Sequence, residues 1–152
     1  GLGVLAAVGL AGWMALAPDV GVAKRRAERL LELSDPAPEL LNNAAWQIAT
    51  GRDPDPELLA VAERLARRAV ALSERKDPNI LDTLAEVYFQ RGETARAVDV
   101  IEEAIALAPG EAYYREQRRR FLGARAPRDR PPPPSPEGSP DPTIPERPSI
   151  RV

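Results

Sequence analysis

The side chains of this 152-residue sequence that could carry acid–base or nucleophilic chemistry are carboxylates, lysines and serines, because it has no histidine and no cysteine. Without histidine the chain lacks the usual general base near neutral pH and the commonest metal ligand. Without cysteine it lacks disulfides, thiolate metal sites and thiol nucleophiles together. The adjacent carboxylates Glu102 and Glu103 fall on the exposed face of a helical pattern, where such pairs serve solvation. Gly1-Leu2-Gly3 sits inside an apolar run and is no nucleotide-binding turn; there is also no HExxH and no nucleophile elbow. No catalytic residue, metal or cofactor is expected, so the protein is not read as an enzyme. A formal net charge of −2 supplies no basic field to draw in nucleic acid. What remains for function is surface, and surface depends on the elements that present it.

The stretch from Asp35 to Leu122 repeats itself. Pro38, Leu41, Ala44, Ala45 and Ile48 recur as Pro78, Leu81, Leu84, Ala85 and Tyr88. Ala62, Leu65, Ala66, Ala69, Val70 and Leu72 recur as Ala97, Val100, Ile101, Ala104, Ile105 and Leu107. Both sets place apolar residues three and four apart, which is the period of a helix with one buried face. The two offsets differ, which implies an insertion at Gly51-Arg52-Asp53-Pro54-Asp55, where glycine and the Asp-Pro steps break helices. Asp55-Pro56 and Asp77-Pro78 each put a capping carboxylate before a proline at the first helical position. Gly92 stops one helix and Ala108-Pro109-Gly110 another. The pattern predicts paired antiparallel helices near 39–50, 56–74, 78–91 and 94–108, followed by a last helix over about 111–122.

Leu81, Leu84, Ala85, Tyr88, Gly92, Ala97, Ile101, Ala104 and Pro109 resemble the tetratricopeptide-repeat signature, a helix pair with large, small and proline residues at fixed points. The resemblance covers the 35–122 stretch, with repeat one over about 38–76 and repeat two over about 78–109. Leu41 to Thr50 is similar to a variant common in bacterial proteins of this family. It implies an all-α fold, a short α-solenoid, and a protein or peptide ligand in a concave groove lined by the first helix of each repeat. Carried onto this sequence, the groove positions are Asn42 and Trp46 (with Ala49 and Thr50) in the first repeat, and Asn79, Asp82, Glu86, Phe89 and Gln90 in the second. These positions hold none of the basic residues of the family's peptide-carboxylate clamp, so Asp82 and Glu86 imply a basic or neutral polar ligand. Phe89 and Trp46 have a plainer reading as packing against a neighbouring helix. Arg115, Arg118, Arg119 and Arg120 read as a solvated or lipid-facing basic stripe, and Tyr113, Tyr114 and Phe121 as anchors of the last helix.

The two ends differ from the middle. Residues 1–18 are apolar and uncharged, with Leu2, Val4, Leu5, Val8, Leu10, Trp13, Met14 and Leu16 among Gly and Ala. They read as a transmembrane or signal-anchor helix, with a signal peptide and a buried core helix as the other readings. Lys24, Arg25 and Arg26 follow the run, which favours a membrane-anchored domain on the cytoplasmic side. Residues 19–34 read as a linker helix or half repeat. Ten of the 17 prolines fall after Gly123, so 123–152 reads as a disordered Pro-rich tail. The sequence thus points to a membrane-tethered interaction module. The alternative is the regulatory C-terminal region of a larger membrane enzyme, a glycosyltransferase or kinase, whose catalytic part precedes Gly1.

Overall fold

The computed structural model of the chain describes residues 19–123. They form six helices: α1 Val20–Leu31, α2 Pro38–Ala49, α3 Pro56–Leu72, α4 Pro78–Gln90, α5 Thr94–Leu107 and α6 Ala112–Leu122. There is no strand among the described residues. Each paired helix begins and ends within two residues of its expected position.

The starts of these helices follow from capping chemistry. Asp55 Oδ1 accepts from the Glu57 and Leu58 amides at 2.8 and 3.2 Å, and Asp77 Oδ1 accepts from Asn79 and Ile80 at 2.8 and 3.3 Å. The proline that follows each aspartate occupies the one position where a missing amide hydrogen costs nothing. Asp19 caps α1 in the same way, accepting from Gly21 at 2.8 Å. At Gly92 the backbone turns with φ +79°, a left-handed conformation that favours glycine, and α5 begins two residues later.

α2 and α3 pack as one hairpin, α4 and α5 as a second, and α2 packs on α4 to stack them. Alanines at the crossings let the helices approach: Ala45, Ala49, Ala62, Ala66, Ala69, Ala85, Ala97 and Ala104 are all fully buried. Leu41, Leu65, Leu81, Ile101 and Phe121 fill the spaces between them, also fully buried. α4 is the centre of the molecule, with every residue from Ile80 to Tyr88 buried. α6 packs against α5 and closes one end, and α1 packs against α3 at the other. α1 is tied down by polar bonds: Arg68 donates to the carbonyls of Leu31 and Leu33 at 2.7 and 2.6 Å, and Lys24 pairs with Glu57 at 2.6 Å.

The membrane-anchored location expected from the sequence is corrected here. Among the described residues no helix is long and apolar enough to cross a membrane. The longest, α3, has 17 residues and carries Glu57, Glu63, Arg64, Arg67 and Arg68, whereas a span needs roughly 20 apolar residues. The apolar run 1–18 on which the expectation rested lies outside the described residues, as does the Pro-rich stretch after Gly123.

The buried alanines generate a direct test. Ala104→Leu would force extra methyl groups into a contact with no free space, at a cost of about 1–3 kcal/mol. A thermal melt of this variant is expected several degrees below wild type; coincident melts would place Ala104 away from a close helix contact.

Candidate functional site

Asp82 and Glu86 are one turn apart on α4, so both face the same side of the helix. Both are buried, at 5% and 0% exposure. A buried carboxylate needs donors, and α6 supplies them from Tyr113, Gln117 and Arg120, which share one face of that helix by their spacing of four and three. Tyr113 donates its hydroxyl to Asp82 Oδ2 at 3.0 Å, and Gln117 donates from Nε2 to Asp82 Oδ1 at 2.9 Å and to Glu86 Oε2 at 3.4 Å. The Arg120 guanidinium bonds Glu86 directly and donates from Nε to Gln117 Oε1 at 3.0 Å. Gln90 reaches back along α4 to Glu86 Oε1 at 2.7 Å.

Aromatic contacts continue the seam. The Phe89 and Phe121 rings lie 4.8 Å apart, and the Arg120 guanidinium sits 4.8 Å from the first and 5.0 Å from the second. Tyr114 donates its hydroxyl to Asn79 Oδ1 at 2.9 Å. Four of the seven groove residues expected from the sequence, Asn79, Asp82, Glu86 and Phe89, are therefore engaged by α6, and Gln90 joins them through Glu86. The remaining two, Asn42 and Trp46, are partly exposed on α2. Asn42 Oδ1 is enclosed and has no hydrogen-bond partner.

The same geometry sorts the arginines of α6. Arg120 is buried, at 4% exposure. Arg118 pairs with Glu102 on the surface at 2.8 Å, and Arg115 donates to the Pro109 carbonyl. Tyr113, Tyr114 and Phe121 are buried and anchor the helix. Sequence reading placed Arg120 with the surface arginines and missed Gln117. The signal that marks both is their register with Tyr113, which sets all three on the buried stripe.

Burial pushes the Asp82 carboxyl up to about 7; the neighbouring Glu86 charge adds to the rise, and the Gln117 and Tyr113 hydrogen bonds and the Arg120 charge oppose it. The Tyr114 hydroxyl is also raised, by burial first and then by the negative charges of Asp82, Asp77 and Glu111. No group of acidic residues among those described is arranged to hold a metal ion. The arrangement joins helices and shapes a surface.

Residues 78–118 match the tetratricopeptide-repeat family model, a span covering α4, α5 and the first part of α6. The match supports a tetratricopeptide-repeat protein, and the repeat is a protein-interaction fold, generally non-enzymatic. Neither a curated protein nor a solved structure matches the chain.

The raised Asp82 carboxyl makes stability depend on pH in a defined direction. Folded protein keeps this proton up to about pH 7, whereas an unfolded aspartate releases it near pH ~4. The contribution is complete below ~4 and lost as pH rises through 7, reaching a loss on the order of 4 kcal/mol by pH ~8. Asp82→Asn keeps the shape and removes the titration. Urea unfolding at pH 5.5 and pH 8 is expected to show the variant gaining on wild type at the higher pH; a difference unchanged by pH would mean that Asp82 titrates as an ordinary surface carboxylate.

Proposed function

We propose that this chain is a protein-interaction module that receives an extended or helical segment of a partner protein on the face formed by the first helices of its repeats, α2, α4 and α6. The observation that carries the reading is how the expected groove is divided. α6 seals the second-repeat half through Asn79, Asp82, Glu86 and Phe89, while Asn42 and Trp46 stay partly exposed on α2. Asp82 spends its acceptor capacity on α6, and Glu86 divides its own between α6 and Gln90. Their part in binding is to hold that helix as a wall of the groove, with Gln90 braced on Glu86 beside it.

The contact surface is then centred on Trp46 and Asn42. An indole provides large contact area for little loss of side-chain freedom, which is why tryptophan dominates many binding surfaces. A buried carbonyl oxygen without a donor costs roughly 1–3 kcal/mol. A docked segment that offered a backbone amide to Oδ1 would relieve that cost. The ligand this face favours offers an apolar anchor for Trp46 and an amide donor for Asn42.

A photo-crosslinking amino acid placed at position 46 of the full chain tests this, with position 64 on the exposed side of α3 as the control. Position 46 is expected to capture a discrete partner, and Asn42→Ala with Trp46→Ala should weaken capture about tenfold or more. Equal capture from position 64, or capture indifferent to the double substitution, would put the interaction on another face.

A further inference from the structure

A concave feature lies on the flank of α2 away from Trp46. It is a cleft of about 600 Å³ between α1 and α2, closed at one end by the turn before α3. Its wall is apolar: Ala23, Ala27 and Leu30 from α1, Ala44 and Ile48 from α2, and Leu58 from α3. Polar groups, among them Arg26, Gln47 and Asp53, also line it. α1 is held to α3 by the Arg68 and Lys24 bonds, so the cleft persists because α1 is braced away from α2 rather than collapsed onto it. An apolar surface of this kind is favourable only when something covers it.

We infer that the cleft is filled by the chain's own segment Leu2–Ala17, which docks alongside α1 and completes the N-terminal end of the helix stack. Three observations support this occupant. The segment ends two residues before α1, and Val20, the first residue of α1, lines the cleft, so the segment is delivered to its mouth. The segment carries no charge, which suits the Ala, Leu and Ile part of the lining and leaves Arg26, Asp53 and Asp55 as its polar border. Its 16 residues outnumber the 12 of α1, so the segment is long enough to follow that helix from end to end. Helical spacing also gathers Leu2, Leu5, Gly9, Trp13 and Leu16 onto one stripe, which offers large side chains to the small alanines opposite. The pairing repeats the chemistry of the other crossings, where alanines on one helix receive larger side chains from the next.

The absence of cysteine from the chain makes the test clean. In the full chain, Ala44→Cys puts a single thiol in the cleft, and Arg64→Cys puts one on exposed surface. A polar maleimide is expected to label position 44 at least tenfold more slowly than the same position in a chain that also carries Leu5→Asp and Leu16→Asp. Position 64 should label equally in both backgrounds. Equal rates at position 44 in both would show an open cleft and overturn the inference. Protection that grows with protein concentration and comes with a dimer mass would also overturn it, in favour of a second copy. Should the double aspartate chain fail to fold, a second thiol scanned from Leu5 to Leu16 against Ala44→Cys replaces it. Intrachain disulfides are then expected at stripe positions three or four apart, and none from any position overturns the inference. Because the cleft and the Trp46 face lie on opposite flanks of α2, either result stands apart from the outcome of partner capture.

Discussion

Everything in the arrangement of α4 follows from one constraint: a helix buried on all sides carries two carboxylates. Asp82 and Glu86 cannot reach water, and an unpaired charge in that position would cost several kcal/mol. α6 resolves this with a hydroxyl, an amide and a guanidinium spaced on one stripe. The apolar contacts of Tyr113, Tyr114 and Phe121 hold α6 near the core, but the polar bonds determine its register along α4. A slide of one turn would leave both carboxylates facing the wrong partners. The acidic pair thus favours the one position of α6 in which these bonds are all made.

The second constraint is closeness. Fully buried alanines in α2, α3, α4 and α5 leave no slack for larger residues, with Ala45 and Ala49 on one face of α2 and Ala85 within the buried stretch of α4. In α4 this is extreme, since it meets α2, α3, α5 and α6 at once. The longer turn over residues 50–55 in the first hairpin is accommodated because it lies outside these crossings and is closed by the Asp55 cap.

The helices, their caps and most of their buried faces were legible in the sequence because each rests on local rules. Asp-Pro marks a start, glycine marks a stop, and apolar spacing marks a face. The candidate site was legible only in part. Helical spacing correctly places Asp82 and Glu86 on one side of α4, but what covers that side comes from some thirty residues further along the chain, and spacing within one helix carries no such information. Arg120 illustrates the same limit. Its neighbours Arg118 and Arg119 look identical in composition, and only the angular position of Arg120 on α6, in line with Tyr113 and Gln117, separates a core residue from a surface one. A run of arginines is usually solvated, and that expectation concealed the exception.

The turn between α3 and α4 carries a feature of a different order. Glu74 and Arg75 both adopt left-handed backbone, with φ of 53° and 57°, although neither is glycine. Each such residue costs roughly 1–2 kcal/mol, which local backbone bonds offset: the Arg75 amide donates to the Val70 carbonyl and the Lys76 amide to the Ser73 carbonyl, both at 3.0 Å. The Arg75 guanidinium grips Glu103 on α5 with both ends of its fork, at 2.6 to 2.9 Å. An exposed ion pair adds little to stability, but a two-point grip is directional. Because Arg75 belongs to the joint between hairpins and Glu103 to the far helix of the second, this grip fixes the angle at which one hairpin follows the other. In a longer stack the same angle, repeated, would set the pitch of the superhelix.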